Sequence, residues 1–191
     1  MQSMFDIFEA YMTKYAAFTR EEILQIYSMA SRRSVRKRQT LLLEGQVCRH
    51  KIFICTGLLR SYRLTDDGNE HIMRFGAENG WMIDHQSYQK QVPSKLNIDA
   101  IENSELLFWL KEDVDKISID IPMFREFSDK VRSETLDATH DRVLANISYT
   151  PEEKYNDFVA SYPEIFRRVP LHMVASYLGV SRETLTRVRR V

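Results

Sequence analysis

The sequence predicts an α+β fold: short N-terminal helices, an antiparallel β-sandwich or barrel, one long helix and a C-terminal helix-turn-helix. Three observations predict it. Between about residues 33 and 110, short runs rich in β-branched and aromatic residues alternate with turn signals. From Ile121-Pro122 a helical pattern continues to about Ser148. Over residues 171–190, two apolar helical patterns flank a single glycine, Gly179.

Residues 3–30 read as two helices. Thr19-Arg20-Glu21-Glu22 fits a capping box, and Ile23, Ile26, Tyr27 and Ala30 recur at helical spacing. The expected strands include Thr40–Leu43, Lys51–Cys55, Leu58–Leu64, His71–Phe75 and Leu106–Leu110. Glu44-Gly45, Thr56-Gly57, Asp66-Asp67-Gly68-Asn69, Glu78-Asn79-Gly80 and Val92-Pro93-Ser94 separate them, with Asp67-Gly68 expected in a hairpin turn. Residues 111–118 return to helix. In the long helix, about 121–148, Phe124, Phe127 and Val131 form one apolar stripe; Leu136, Val143 and Ile147 form a second, with His140 between. So long a helix beside a small β-domain is a core helix or a dimer helix, and the dimer role is favoured because few intrachain surfaces remain for it to cover. Thr150-Pro151-Glu152-Glu153 is a strong helix start, followed by Tyr155, Phe158 and Val159 on a buried face and ended by Tyr162-Pro163. The chain of 191 residues is therefore divided into a sensing domain, 1–148, and a C-terminal domain, 149–191.

Composition narrows the class. Hydrophobic content of 43% is ordinary for a globular domain. No apolar run approaches the ~18–20 residues needed to span a bilayer, and the N-terminus has no secretory pattern. A cytoplasmic protein without membrane association is expected. Cys48 and Cys55 do not form a CxxC pair, so neither a disulfide framework nor a four-cysteine metal site is expected. Net charge is zero, but residues 167–191 hold six arginines against one acid, Glu183. A positive terminus on a negative body suits a polyanion-binding module.

The register of the last segment makes that specific. Close crossing of two helices needs a small residue, and Ala175 supplies it. The turn needs positive φ, which Gly179 reaches without steric cost. Val174, Leu178, Val180, Leu185 and Val188 take the inward positions, and Ser181 is a good N-cap for the second helix. Arg182, Glu183, Thr186, Arg187 and Arg190 then face outward. Arginine forks match the two acceptors of guanine, and glutamate can accept from cytosine N4. Ser181, Thr184 and Arg189 are better placed for phosphates, and the first helix is expected against the DNA backbone.

With these residues the sequence resembles the cyclic-AMP receptor / fumarate-nitrate regulator (Crp/Fnr) family over almost its whole length. The sharpest part is Gly179-Val180-Ser181-Arg182-Glu183-Thr184-Leu185-Thr186-Arg187, similar to the family's Ser-Arg-Glu-Thr-x-x-Arg recognition helix. Softer matches are Glu44-Gly45, Ile54-Cys55-Thr56-Gly57-Leu58-Leu59-Arg60 and Glu78-Asn79-Gly80-Trp81. The resemblance implies a cyclic-nucleotide-type β-roll (a jelly roll), a dimerisation helix, and a homodimeric transcription regulator binding double-stranded DNA, with RNA polymerase as a further partner. It also implies an effector pocket near Ile83, Asp84, His85, Ser94 and Lys95.

The departures lie in that pocket. Members that bind cyclic AMP carry a Phe-Gly-Glu-like stretch; here it reads Met82-Ile83-Asp84. They grip the cyclic phosphate with Arg-Ser; here the place reads about Ser94-Lys95, and a lysine does not reproduce the arginine fork. A remodelled or empty pocket is expected rather than one for cyclic AMP, and no cofactor is assigned. The N-terminal cysteine cluster of iron–sulfur members is missing, and His50, His71, His85 and His140 read as ordinary polar histidines rather than haem ligands. Many members continue into a β-hairpin wing after the recognition helix, whereas this sequence reaches Val191 at or inside that helix, as a shortened chain or a wingless branch would.

Arg32, Arg33, Arg36, Lys37 and Arg38 read as a solvated strand or loop edge, and Trp81 and Trp109 as core. No Ser/His/Asp, paired-carboxylate or phosphate-loop pattern supports an enzyme. Two rivals remain: a small-molecule sensor acting through protein contacts, and a metal enzyme hosted in the roll, against which the absence of an HxH pair weighs.

Overall fold

The computed structural model describes residues 2–189. Two helices open it, α1 (Met4–Tyr15) and α2 (Arg20–Ser28). Each starts at a complete capping box, Ser3 with Asp6 and Thr19 with Glu22. Eight strands follow: β1 (Ser31–Val35), β2 (Thr40–Leu42), β3 (His50–Thr56), β4 (Leu59–Leu64), β5 (Glu70–Gly76), β6 (Gly80–Met82), β7 (Asn97–Ala100) and β8 (Ser104–Leu110). Helix α3 (His85–Lys90) interrupts them between β6 and β7. The C-terminal part is helical: α4 (Lys111–Asp120), α5 (Pro122–Ser148), α6 (Pro151–Ser161), α7 (Pro163–Arg168), α8 (Leu171–Leu178) and α9 (Arg182–Val188).

The strands form two antiparallel sheets, ordered β1-β8-β3-β6 and β2-β7-β4-β5. This is the expected jelly-roll sandwich. Its two faces explain the unbroken apolar runs in β3 and β8. Successive strand residues point to opposite faces, and here both faces are covered. Ile52, Ile54, Leu106 and Phe108 meet Leu59, Met82 and Ile98 between the sheets. Phe53, Cys55, Leu107 and Trp109 face the other way, into a cluster with Phe8, Met12, Ile26, Trp81, Phe124 and Phe127 from α1, α2, β6 and α5. The indole N–H groups in that cluster are satisfied: Trp109 donates to the Ile26 carbonyl at 2.7 Å and Trp81 to the Tyr11 hydroxyl at 2.9 Å.

β1 is an edge strand whose Arg32 and Arg33 are exposed, in keeping with the solvated edge read from the sequence, and this charge pattern discourages further strand pairing. Two other elements depart from the sequence reading. β7 reads Asn-Ile-Asp-Ala, and two residues disfavoured in strands hid it. They are tolerated because Asp99 takes two hydrogen bonds from the buried Arg60, at 2.8 and 2.9 Å, and the Asn97 side chain accepts the Glu44 N–H. The β4–β5 hairpin turns through a three-residue loop, Asp66-Asp67-Gly68, closed by Thr65 N–H to the Asn69 carbonyl, with Gly68 at φ +80°.

Helix α5 runs over 27 residues, starting within one residue of the expected place, with Pro122 in its first turn. Its two stripes part company. Phe124 and Phe127 are buried against the roll, whereas Leu136, Val143 and Ile147 are 55%, 50% and 80% exposed. Phe53, fully buried where the two-faced strand meets the helices, is the test of this packing. Phe53→Ala is expected to cost about 3–5 kcal/mol, read as a lower denaturation midpoint; a cost under about 1 kcal/mol would show that the cluster collapses around the gap.

Candidate nucleic-acid interface

Helices α8 and α9 form the C-terminal bihelical unit. Helix α8 ends at Gly179, which takes the left-handed conformation at φ +67°. The Gly179 N–H returns to the Ser176 carbonyl and the Val180 N–H to the Ala175 carbonyl, a Schellman closure. Two residues later Ser181 caps α9, its hydroxyl accepting the Thr184 N–H at 3.1 Å. Leu185, fully buried, packs in one cluster with Val174, Ala175 and Leu178. Val180 and Val188 are half-buried rather than fully inward.

This leaves the polar side of α9 outward. Arg182, Glu183, Thr186, Arg187 and Arg189 are exposed, Thr184 is half-buried, and Ser181 is exposed with its hydroxyl engaged in the cap. Arg190, also expected in the interface, lies outside the described residues. Hydrogen bonding to its own backbone N–H and to Ser181 holds the Glu183 carboxyl below the usual range, so it is an acceptor at neutral pH.

The charge pattern is narrower than the sequence suggests. Of the C-terminal arginines, Arg168 is spent on the roll: its guanidinium donates to both oxygens of Glu78, at 2.7 and 2.9 Å, and to both of Glu102, at 3.1 and 2.6 Å. Arg167 pairs with Glu164 on its own helix. Of the C-terminal arginines among the described residues, those free of ion pairs are Arg182 and Arg187 on α9 and Arg189 at its C-cap.

The first helix of the pair also docks on the roll. Ser176 on α8 accepts the Ile72 N–H at 2.9 Å and donates to the Glu70 carbonyl at 2.5 Å, using the open edge of β5. Arg142 of α5 donates to the Ile72 carbonyl at 3.0 Å, to the Met73 carbonyl, and to the Tyr177 carbonyl at 2.8 Å, and its guanidinium lies over the Tyr177 ring. No signal local to either segment points to these contacts, which join residues 35 to 106 positions apart.

The residues expected to line an effector pocket divide between two places. Asp84 is buried, and both its oxygens are used: one accepts the Ser87 N–H to start α3, the other the Ser94 hydroxyl at 2.6 Å. Ser94 is buried and Lys95 is exposed. Ile83 and His85 instead line a cleft of about 1000 Å³ between the roll and α5, together with Lys51, Arg74, Trp81 and Arg132. Burial and then the cations Arg132, Lys51 and Arg74 push the His85 pKa down, so it is neutral at pH 7. Among the described residues, no three His, Cys, Asp or Glu side chains gather as a metal site, and no helix is long and apolar enough to cross a membrane.

Gly179→Ala tests the bend itself. A Cβ there meets nothing within 4 Å, so only the left-handed backbone opposes it, at about 1–2 kcal/mol. Hydrogen exchange is expected to accelerate at the α8 and α9 amides and stay unchanged in β3 and β8. Equal protection in the variant would mean that the left-handed turn does not limit this unit.

The comparisons agree with this architecture. Residues 32–119 match the cyclic nucleotide-binding domain family. A search of curated proteins finds no match. Among solved structures, the Catabolite Activator Protein of Thermus thermophilus is 20% identical, with 92% of this chain aligned to 84% of that one at a TM-score of 0.60. FixK2 of Bradyrhizobium japonicum is 22% identical, covering 84% of this chain and 83% of its own, at 0.70. CLP of Xanthomonas campestris, a regulator responsive to c-di-GMP, is 14% identical, covers 90% of each chain and superposes at 0.76. With residues 32–119 similar to cyclic nucleotide-binding domains, the chain has the fold of the Crp/Fnr-type transcription regulators.

Proposed function

We propose that this chain is a DNA-binding transcription regulator that acts as a homodimer and answers to a small effector other than cyclic AMP. The observation that carries the reading is the exposed, unpaired arginine side of α9, held rigidly by the Gly179 closure and the Ser181 cap. Early residues of a recognition helix meet base edges. Arg182, Glu183 and Arg187 take base edges, with Thr186 and Arg190 beside them; Ser181, Thr184 and Arg189 take phosphates.

The dimer reading rests on α5. Leu136, His140, Val143 and Ile147 are spaced four, three and four apart, the seam of a two-stranded coil. All four are exposed in the single chain. Pairing α5 with its copy puts two α9 helices on a pseudo-palindrome with half-sites about 34 Å apart. The unit in 149–191 is then the DNA-binding domain, and 1–148 the sensing and dimerising one. Arg168 and Ser176 fix the first to the second, so a change in the roll has a route to α9.

The reading against cyclic AMP rests on Asp84 and Ser94, which satisfy each other. A sugar hydroxyl or a phosphate at that place would have to displace a buried hydrogen bond. A protein-contact sensor is the other reading; it predicts no salt-dependent affinity for duplex DNA, whereas neutralised phosphates demand a steep salt slope.

Selection of genomic fragments by the purified protein, followed by footprinting, tests the main reading. A recovered pseudo-palindrome is expected, and Arg182→Ala is expected to lose about 1–3 kcal/mol at one base position per half-site. Unchanged base preference in that variant removes Arg182 from base readout. Val143→Glu places a charge in the proposed seam. It is expected to shift sedimentation from dimer to monomer and abolish footprints while leaving the roll folded; a dimer that persists moves the interface elsewhere.

A further inference from the structure

The cleft between the roll and α5 is positively charged in an unusual way. Lys51 reaches into it from β3 and Arg74 from β5. Arg132 and Arg125 come from α5, and the acids facing them are Asp115 and Asp129. Both acids are already engaged, Asp115 by Lys111 at 2.7 Å and Asp129 by Arg132 at 2.9 Å. Among the described residues neither Lys51 nor Arg74 has an ion-pair partner. The Lys51 ammonium sits 4.5 Å from the centre of the Trp81 ring and 5.6 Å from that of Phe124, and its one hydrogen bond goes to the Ser128 hydroxyl at 3.3 Å.

An ammonium is a compact, strongly hydrated ion, and removing it from water without an anion is unfavourable. Ring faces offset part of that cost. Burial and the nearby Arg132 push the Lys51 pKa down to about 8, so at neutral pH the group is still largely charged and unpaired. Burial acts on Arg74 in the same direction. Beside these cations the wall is mixed, with Ile83, Val114, Val131 and Leu136 as its apolar part among Gln89, Ser118, Ser128 and Thr135. It is a place built for a molecule with a negative head and an apolar body.

We infer that this cleft binds a small organic anion, a carboxylate or phosphate group on an apolar body, with its acid between Lys51 and Arg74 and its body along α5. The inference deepens the effector reading above and rests on it. It places the site away from Asp84 and Ser94 and gives the effector a chemical class. Arg74 also carries the consequence. It adjoins Met73, whose carbonyl takes Arg142, and lies two residues from Ile72, whose N–H is bound by Ser176 of α8. An anion drawn to Arg74 acts on the strand that holds the DNA-binding unit.

Calorimetric titration of the full chain, without DNA, tests this with four probes of similar shape: phenylacetate, phenyl phosphate, neutral benzyl alcohol and cationic phenethylammonium. The two anions are expected to saturate one site per chain and the other two to give no saturable heat. The stronger of the anions identifies the head group. Inorganic phosphate alone is expected to bind at least tenfold more weakly than phenyl phosphate, because the apolar wall then contributes nothing. Lys51→Met keeps the stem and removes the charge. It is expected to weaken anion binding about tenfold or more while leaving the thermal midpoint equal or higher, since a desolvated unpaired cation is gone. Arg74→Gln is the second variant and is expected to weaken the same anions about tenfold or more. Binding that ignores probe charge, absence of saturable binding by both anions, or unchanged affinity in both variants would overturn the inference. Because DNA is absent from the titration, either result leaves the footprinting test of α9 standing on its own.

Discussion

The position of α9 depends on one guanidinium. Arg142 projects from α5 into the corner where β5 meets α8, and donates to two β5 carbonyls and to the Tyr177 carbonyl at the end of α8. A cation at a helix C-terminus meets the negative end of its dipole, and here the same cation closes the open edge of a sheet. The Tyr177 ring stacks under it at 4.0 Å, and Phe75 and Phe158 pack around that ring. Roll, long helix and C-terminal unit are thus tied at a point where charge, hydrogen bonding and aromatic packing coincide. The Nε of Arg142 has no partner among the described residues, so the corner is satisfied on its carbonyl side and short by one acceptor on the other.

How much of this was legible in the sequence follows from how local each signal is. The capping boxes at Thr19 and Thr150, Pro122 at the start of α5, and Gly179 before Ser181 are each settled within a few residues, and the structure has the same helices at those places. Strands are less local. β3 and β8 were readable because both faces are buried and their apolar runs are continuous. β7 was not, because its Asn and Asp are acceptable only when Arg60 and the Glu44 backbone arrive from elsewhere. Short α3 and α7 carry too few turns to show a period.

The site divides the same way. The outward residues of α9 follow from a helical register that a glycine and a serine fix. The cleft does not, because Lys51, Arg74, His85 and Arg132 come from four separate elements, and no two of them are close in sequence. Matching short segments to a family pattern pointed to Ile83, Asp84, His85, Ser94 and Lys95, of which Ile83 and His85 line the cleft. Chemistry alone does not distinguish a ligand-binding Asp from an Asp that caps a helix and holds a neighbouring serine; the bond between Asp84 and Ser94 does. Charge counting had a similar limit, since Arg168 counts toward a positive terminus until Glu78 and Glu102 are seen to neutralise it.

These placements constrain how a signal would travel. A ligand changes an equilibrium only through unequal affinity for two arrangements, so a sensing site must touch something that moves. The interior of the roll is a poor choice: Leu59, Met82, Ile98 and Leu106 fill the space between the sheets, and a close-packed core has no second arrangement of similar energy. The cleft is a better one. One wall is the rigid roll, and the other is the middle of α5, which continues one way into Phe124 and Phe127 and the other way into Arg142. Of the residues on that helical wall, Leu136 also lies on the exposed stripe. A body bound along Leu136 would therefore adjust the face on which, in the proposed dimer, a second α5 packs. An acid held at Arg74 would adjust the strand edge that Ser176 occupies, so in the proposed dimer a single ligand in this place would bear on both determinants of where two α9 helices stand.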